Sequence, residues 1–174
     1  SLGFFLIFSI SCQAQQGKTW LQFEGKSGPG KGKHIVLVSG DDEYRSEEGM
    51  PMLGKLLAEH YGFTYTVLFP IEPETGNIVP SYQNNIPGLE HLAKADLMIL
   101  LTRFRELPDE QTKYFHDFIM AGKPIIGMRT ATHAFHYEKN KNSPYAKFDW
   151  RNKSVGWEGG FGQKILGETW VAHH

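Results

Sequence analysis

HIVLV, residues His34 to Val38, is an unbroken apolar run, and the polar stretch SGDDEYR, residues Ser39 to Arg45, follows it directly. An apolar run without alternation is typical of a strand that is buried on both faces, as in a parallel sheet. The polar stretch then lies at the carboxyl end of that strand, where parallel sheets bind their ligands. We therefore predict a central parallel strand with a functional loop at its end.

Around this strand, predicted strands and helices alternate from residue 34 to residue 137. Apolar spacing predicts a helix over 46–61, with Ser46 as its N-cap and Gly62 at its end, and a second helix over 108–121. Further strands are predicted at 64–69, 96–101, 124–128 and 168–172, and short helices at 88–95 and 131–137. The alternation predicts an α/β fold: a three-layer, flavodoxin-like parallel sheet with helices on both faces and strand order 2-1-3-4.

The composition limits the classes of partner. The chain has 174 residues, 40% of them hydrophobic, which suits one globular domain with a sizeable core. Its 18 basic and 19 acidic residues give a net charge of −1. Because that charge offers no bulk attraction to a polyanion, we predict no nucleic-acid partner and no membrane contact apart from a lipid anchor.

The N-terminal residues resemble an export signal. LGFFLIFSI, residues 2–10, is an apolar run that small and polar residues follow, as in a secretory signal, and it is too short to span a membrane. We predict a partial signal peptide over 1–14, a linker over 15–32 and a single domain over 33–174. Two alternatives remain open: a lipidated Cys12, or cleavage after Ala14. Both predict an exported protein, either periplasmic or an outer-membrane lipoprotein.

Polar side chains follow three strands that the predicted order makes neighbours, so their loops share one crevice. We assign Arg129, His133 and Asp41 as candidate catalytic residues. The candidate substrate-binding residues are Asp42, Tyr44, Arg45, Arg103, Thr130, Trp157 and His173. Such a crevice suits a ligand with many hydroxyl or carboxylate groups. The alternative is that Arg103 or Arg129 pairs with Asp41 or Asp42 and only locks the loops together.

The stretch GMRTA, residues Gly127 to Ala131, follows a predicted strand and precedes a predicted helix, which is the arrangement of a nucleophile elbow. Its centre is Arg129, which cannot form an acyl intermediate, and the chain's one cysteine, Cys12, precedes the domain. Thr130 offers a neighbouring hydroxyl for a cysteine-free amidase, the least favoured alternative. Trp157, in WEGGFG, either closes over a sugar ring or packs in a tight turn; both interpretations stay open.

The sequence favours no resident cofactor. The loop after the first strand holds a single glycine, Gly40, and so lacks the glycine pattern of a nicotinamide site. His133 and His136 are three residues apart, and His173 and His174 end the chain, which leaves a divalent metal as an alternative. Without a carboxylate–histidine metal motif, we predict no metal ligands.

Four segments in order resemble the ThuA-like (trehalose-utilisation) family of the class I glutamine amidotransferase-like superfamily. They are KHIVLVSGDDEYRSEE (33–48), LMILLTRFRELPDEQ (97–111), PIIGMRTATHAF (124–135) and FGQKILGETWVAHH (161–174). The resemblance covers residues 33–174 and implies a flavodoxin-like fold and a part in the catabolism of trehalose, glycosides or keto-sugars. Because Arg129 replaces the amidotransferase cysteine, we expect no glutamine hydrolysis. The family extends further, which implies a C-terminally truncated domain.

The resemblance and the crevice together give two functional hypotheses. The first is an enzyme that hydrolyses, eliminates from or isomerises a small-molecule sugar without a cysteine nucleophile. The second is a non-catalytic, periplasmic carbohydrate-binding domain.

Overall fold

The computed structural model describes residues 19–172, which form a five-stranded, mostly parallel sheet with helices. The strands are β1 (Trp20–Phe23), β2 (His34–Gly40), β3 (Thr64–Leu68), β4 (Leu97–Thr102) and β5 (Ile125–Gly127), and the main helices are α1 (Ser46–Tyr61) and α2 (Asp109–Met120). Short 3₁₀ helices span Leu89–Lys94, Arg129–His133 and Ala146–Phe148, and one π-helical turn spans Gly162–Leu166. The predicted signal over 1–14, Cys12 and His173 lie outside the described residues.

The strand order is β1-β3-β2-β4-β5, with β1 antiparallel to β3 and every other pair parallel. The α/β class and the predicted order of the four parallel strands are therefore confirmed. In register, Gly40 lies opposite Thr102 and Leu100 lies opposite Gly127. The loops that follow β2, β4 and β5 thus leave the same edge of the sheet, which we call the carboxyl edge.

Two buried clusters flank the sheet, because successive side chains of a strand point to opposite faces. Ile35 and Leu37 of β2 pack in one cluster with residues of α1, while Val36 and Val38 pack in the other with residues of α2. Burial of each such side chain contributes about 1.5–3 kcal/mol to folding. No helix within residues 19–172 is long and apolar enough to cross a membrane.

Helix α1 spans the predicted residues 46–61, but its N-cap differs from the prediction. Gly62 takes a left-handed conformation, with φ of 78°, and its N–H donates to the carbonyl of Ala58. Arg45, not Ser46, occupies the N-cap position, so the predicted N-cap is wrong. The Ser46 hydroxyl instead accepts hydrogen bonds from the backbone N–H groups of Gly40 and Asp41, at 3.1 and 2.8 Å.

The predicted linker is wrong for Trp20–Phe23, which form the edge strand β1. Trp20 pairs with Leu68 and Phe23 with Tyr65, and the Phe23 ring stacks on Tyr65 at 5.2 Å. The strand was not predicted because the Gly- and Lys-rich residues after β1 dominate the local composition. β1 therefore owes its form to pairing with β3.

The strand predicted at 168–172 is also wrong, because these residues form no regular structure. Their aromatic and β-branched composition is typical of a strand, but the described chain offers them no strand partner. Trp170 instead packs its ring edge-on against Trp150, with ring centroids 4.7 Å apart. Tertiary packing thus overrides the local propensity of this segment.

The stability of the fold should depend on pH through His34, whose Nε2 lies 2.9 Å from the Thr66 hydroxyl. Burial and the nearby His91 lower the pKa of His34 from its ordinary 6.5, although Asp96 raises it. The folded state therefore binds this proton less readily than the unfolded chain. The stabilising contribution is present above a pH of about 6.5 and is lost as the pH falls below that value.

Urea unfolding at about pH 7.5 and about pH 5.5 should show a lower free energy of unfolding at the lower pH. His34→Gln should reduce that difference, whereas His60→Gln, at an exposed position on α1, should preserve it. An undiminished pH dependence in His34→Gln would contradict this assignment.

Candidate functional site

Asp41, at the carboxyl end of β2, is fully buried, with 0% of its surface exposed. Its Oδ1 accepts hydrogen bonds from the backbone N–H groups of Glu43, at 2.8 Å, and Tyr44, at 2.6 Å. The Ser46 hydroxyl donates to the Asp41 carbonyl at 2.8 Å. These bonds hold the loop after β2 in one conformation.

Asp41 also joins this loop to the loop after β5. Its Oδ2 accepts a hydrogen bond from the hydroxyl of Thr130, which is 3% exposed and lies 89 positions further along the chain. The contact brings two predicted site residues together across the carboxyl edge. Both carboxylate oxygens and the hydroxyl are engaged below the surface, so Asp41 and Thr130 hold the two loops against each other.

Arg103, after β4, connects to the same loop. Its Nη1 lies 3.7 Å from Asp42 Oδ1 and 3.3 Å from Glu43 Oε2, and its backbone N–H donates to the Gly40 carbonyl at 2.9 Å. The loop-locking pair considered from the sequence is therefore present for Arg103 and Asp42. The side chains of Asp42 and Glu43 remain 46% and 40% exposed, so these ion pairs are weak and open to a ligand.

Arg129 is the first residue of the 3₁₀ helix that follows β5, and it has a positive φ of 49°. Its exposed guanidinium lies over the ring of Tyr44, 4.8 Å from the centroid. The turn thus has the strand, left-handed residue and helix of a nucleophile elbow, with an arginine where a nucleophile would stand. The exposed side chain at this position is therefore a cation, which cannot serve as the nucleophile of acyl transfer.

Backbone strain is concentrated at the carboxyl edge. Within residues 19–172, the non-glycine residues with positive φ are Arg45, Phe104 and Arg129, and each lies in the loop after β2, β4 or β5. A left-handed conformation costs such residues about 1 kcal/mol or more, and strain of this kind persists where the surrounding structure enforces it. Its clustering at three adjacent strand ends points to a functional site there.

His133 is brought to the same edge but lies below its surface, with 3% exposed. Its ring lies 5.0 Å from the ring of Phe104 and 4.8 Å from that of Trp170. Its Nδ1 lies 3.3 Å from the Thr132 hydroxyl. A ligand therefore meets the aromatic residues before it meets His133.

Sequence reasoning missed the aromatic cluster to which His133 belongs. We define this cluster as Phe104, His133, His136, Trp150 and Trp170, whose neighbouring rings lie 4.7–6.5 Å apart. Trp150 and Trp170 also line a groove of about 520 Å³. These residues come from four separate segments of the chain, so no local sequence pattern predicts the cluster.

His136 in this cluster is held between two carboxylates. Its Nδ1 lies 3.1 Å from Asp149 Oδ2, and its Nε2 lies 2.9 Å from Glu138 Oε1. Asp149 also accepts from the backbone N–H of Tyr137 at 2.7 Å and from that of Arg151 at 2.7 Å. The spacing of His133 and His136 predicted that both histidines lie on one face, but it did not predict the contacts of His136 with Glu138 and Asp149.

Arg105, which had no assigned role, is buried behind the carboxyl edge. Its Nε donates to the Arg103 carbonyl and its Nη1 to the Tyr82 carbonyl, each at 2.8 Å. Burial lowers the pKa of Arg105 to about 10, while the charges of Asp42 and Asp41 raise it. Arg105 therefore stays protonated at neutral pH and offsets the negative charge of the loop after β2.

Two predicted substrate-binding residues, Arg45 and Trp157, are placed differently. Arg45 forms an ion pair with Glu48 of α1. Trp157 packs against Phe148, with ring centroids 5.3 Å apart, and its ring lies under the Lys147 ammonium at 4.7 Å. This is the packed-tryptophan interpretation left open from the sequence. His173 lies outside the described residues.

Residues 19–172 contain no group of three or more His, Cys, Asp or Glu side chains placed to hold a metal ion. Comparisons with protein-family models, with curated proteins and with solved structures gave no match to this chain. The ThuA-like resemblance and the catalytic and binding roles therefore stay predictions.

The bond from Thr130 to Asp41 should be a main support of the carboxyl edge. Thr130→Val keeps the side-chain shape but leaves a buried carboxylate oxygen without its donor, so the free energy of unfolding should fall by about 1–3 kcal/mol. Thr130→Ser retains a hydroxyl and should recover most of the loss in urea unfolding. Thr75→Val, in an exposed loop, should change stability by less than about 0.5 kcal/mol. Equal stability of Thr130→Val and wild type would exclude this role.

Proposed function

We propose that this chain is an exported ThuA-like domain protein of carbohydrate catabolism, which acts on a trehalose-like glycoside or a keto-sugar without a cysteine nucleophile. The proposal includes a flavodoxin-like, three-layer architecture. It rests on one observation: two arginines, two exposed carboxylates and an aromatic cluster meet at the carboxyl edge of the sheet.

The arrangement suits the two chemistries of a sugar. Aromatic rings pack against the apolar faces of a sugar ring, and charged side chains form strong hydrogen bonds with its hydroxyl groups. Phe104 supplies the link, because its ring lies 4.9 Å below the Arg103 guanidinium and within the aromatic cluster. A sugar at this edge thus has a stacking surface on one side and charged groups on the other.

Proton transfer next to a carbonyl is the chemistry that these groups support best. Asp42 or Glu43 accepts a proton from the carbon beside the carbonyl of a keto-sugar, and the electron pair moves onto the carbonyl oxygen. The guanidinium groups of Arg103 and Arg129 stabilise the resulting oxyanion. Asp41 fixes the loop that carries the base. The proton then returns to a neighbouring atom in an isomerisation, or a leaving group departs in an elimination.

A non-catalytic carbohydrate-binding domain is the second candidate. It is favoured by the burial of Asp41 and His133, which are 0% and 3% exposed although both were assigned catalytic roles. In that case the carboxyl edge and the aromatic cluster hold a sugar that the protein does not change.

Incubation with a panel of disaccharides and their keto derivatives should show turnover, and Arg129→Ala should lower kcat/KM by about 100-fold or more. Lys94→Ala, on an exposed residue ahead of β4 at the opposite edge, should stay within about threefold of wild type. Unchanged melting temperatures would show that both variants fold. Full activity in Arg129→Ala would remove this residue from the site.

Calorimetry on the same panel separates the two candidates. Sugar binding without product at any pH or with any added divalent metal supports the binding domain. Absence of both binding and product would contradict both candidates.

A further inference from the structure

The surface beside the aromatic cluster is basic, although the chain as a whole is not. Residues 139–153 contain five basic side chains and one acidic one, against a net charge of −1 for the chain. The acidic residue, Asp149, is buried, and its carboxylate accepts the backbone N–H groups of Tyr137 and Arg151. The charges that this segment presents to solvent are therefore positive.

Two grooves adjoin along this segment. The first, of about 520 Å³, is the one lined by Trp150 and Trp170, and the second, of about 310 Å³, is lined by Tyr137 and Lys141 among others. Arg151, Asn152 and Lys153 line both. A ligand that fills both grooves must be extended, and it must pass these shared residues.

The two lysines of the grooves, Lys141 and Lys153, are available to a ligand. Within residues 19–172, neither Lys141 nor Lys153 has an ion-pair partner, while Arg151 divides its charge between Asp149, at 3.5 Å, and Glu138, at 4.0 Å. Glu158 is the one exposed carboxylate in the lining of either groove. The grooves therefore favour an anionic ligand over a cationic one.

Two tryptophans, Trp150 and Trp170, line the first groove. Aromatic rings of this kind pack against the apolar face of a sugar ring. Basic side chains beside such rings match a ligand that carries both anionic groups and a ring. An acidic saccharide has both properties.

We propose that the two grooves bind an acidic oligosaccharide, in which a ring packs on Trp150 and Trp170 and the anionic groups pair with Lys141, Arg151 and Lys153. This inference rests on the proposed sugar function and narrows its substrate class. Trp170 of the first groove lies 6.1 Å from the ring of Phe104, which lies beside Arg103 at the carboxyl edge. The first groove is therefore the end of the saccharide site that is nearer to Arg103.

Single-stranded nucleic acid shares the anionic charge and the stacking rings of this ligand. The net charge of −1 disfavours it, because nucleic-acid affinity depends mainly on neutralising many phosphates. The acidic saccharide is the better match, and a nucleic acid serves as a competitor in the test.

Calorimetry on the full chain should compare a short oligogalacturonate, a sulfated oligosaccharide and a neutral malto-oligosaccharide of equal length. The oligogalacturonate should bind about tenfold more tightly than the neutral chain, since a few exposed ion pairs contribute about 1.4 kcal/mol in total. Lys141→Gln with Lys153→Gln should remove that preference without changing affinity for the neutral chain. Lys26→Gln with Lys55→Gln, in a groove beside α1, should leave both affinities unchanged.

The outcomes separate this inference from the proposed function. Tighter binding of the sulfated chain supports the acidic saccharide and identifies sulfate as its anionic group. Equal affinity for acidic and neutral chains overturns the inference and leaves the sugar function standing. Failure of every saccharide to bind overturns both. Tighter binding of single-stranded oligothymidylate than of any saccharide overturns the saccharide assignment.

Discussion

A carboxylate buried at the end of the central strand holds the carboxyl edge of this sheet together. A buried charge is costly unless hydrogen bonds and opposite charge compensate it. Asp41 receives three such bonds, from Glu43, Tyr44 and Thr130, and lies in the field of the buried Arg105. Burial of Asp41 is therefore tolerated only while the loops after β2 and β5 keep these donors in place, which constrains the positions of both loops.

That constraint explains why the exposed groups of the edge can be placed accurately. Asp42 and Glu43 directly follow Asp41, which its hydrogen bonds hold in place. Arg129 directly precedes Thr130, which donates to Asp41. Strain at Arg45, Phe104 and Arg129 is tolerated for the same reason. The turn geometry that presents a nucleophile in other proteins here presents a guanidinium, which can stabilise a negative charge but cannot form an acyl intermediate.

The parts of the fold that were predictable are those that local patterns and general rules of topology decide. HIVLV, residues 34–38, is apolar without alternation because both faces of β2 are covered. Right-handed crossovers leave few possible orders for four parallel strands. The convergence of Arg103 with Asp42 follows from that order. The strand β1 was not predictable, since an antiparallel edge strand depends on a partner distant in sequence.

The site was harder to predict because its side chains are recruited over long distances. Serine is a common N-cap residue, yet the Ser46 hydroxyl accepts hydrogen bonds from the amides of Gly40 and Asp41. Whether a serine caps its helix or bonds to a neighbouring loop is decided only by the folded loop. Phe104, Trp150 and Trp170 carry no local signal of their shared cluster.

The same cluster shows how one edge can combine two properties that conflict. Groups for proton transfer need a fixed and partly dry setting, whereas an extended polar ligand needs an open surface. Phe104 contacts both groups: its ring lies 4.9 Å from the Arg103 guanidinium, and 6.4 and 6.1 Å from the rings of Trp150 and Trp170. Phe104 is held in a left-handed conformation, with φ of 53°, and its ring is packed against the other rings of the cluster. In the binding mode that we propose, the position of this one ring determines how close a ligand comes to the charged edge.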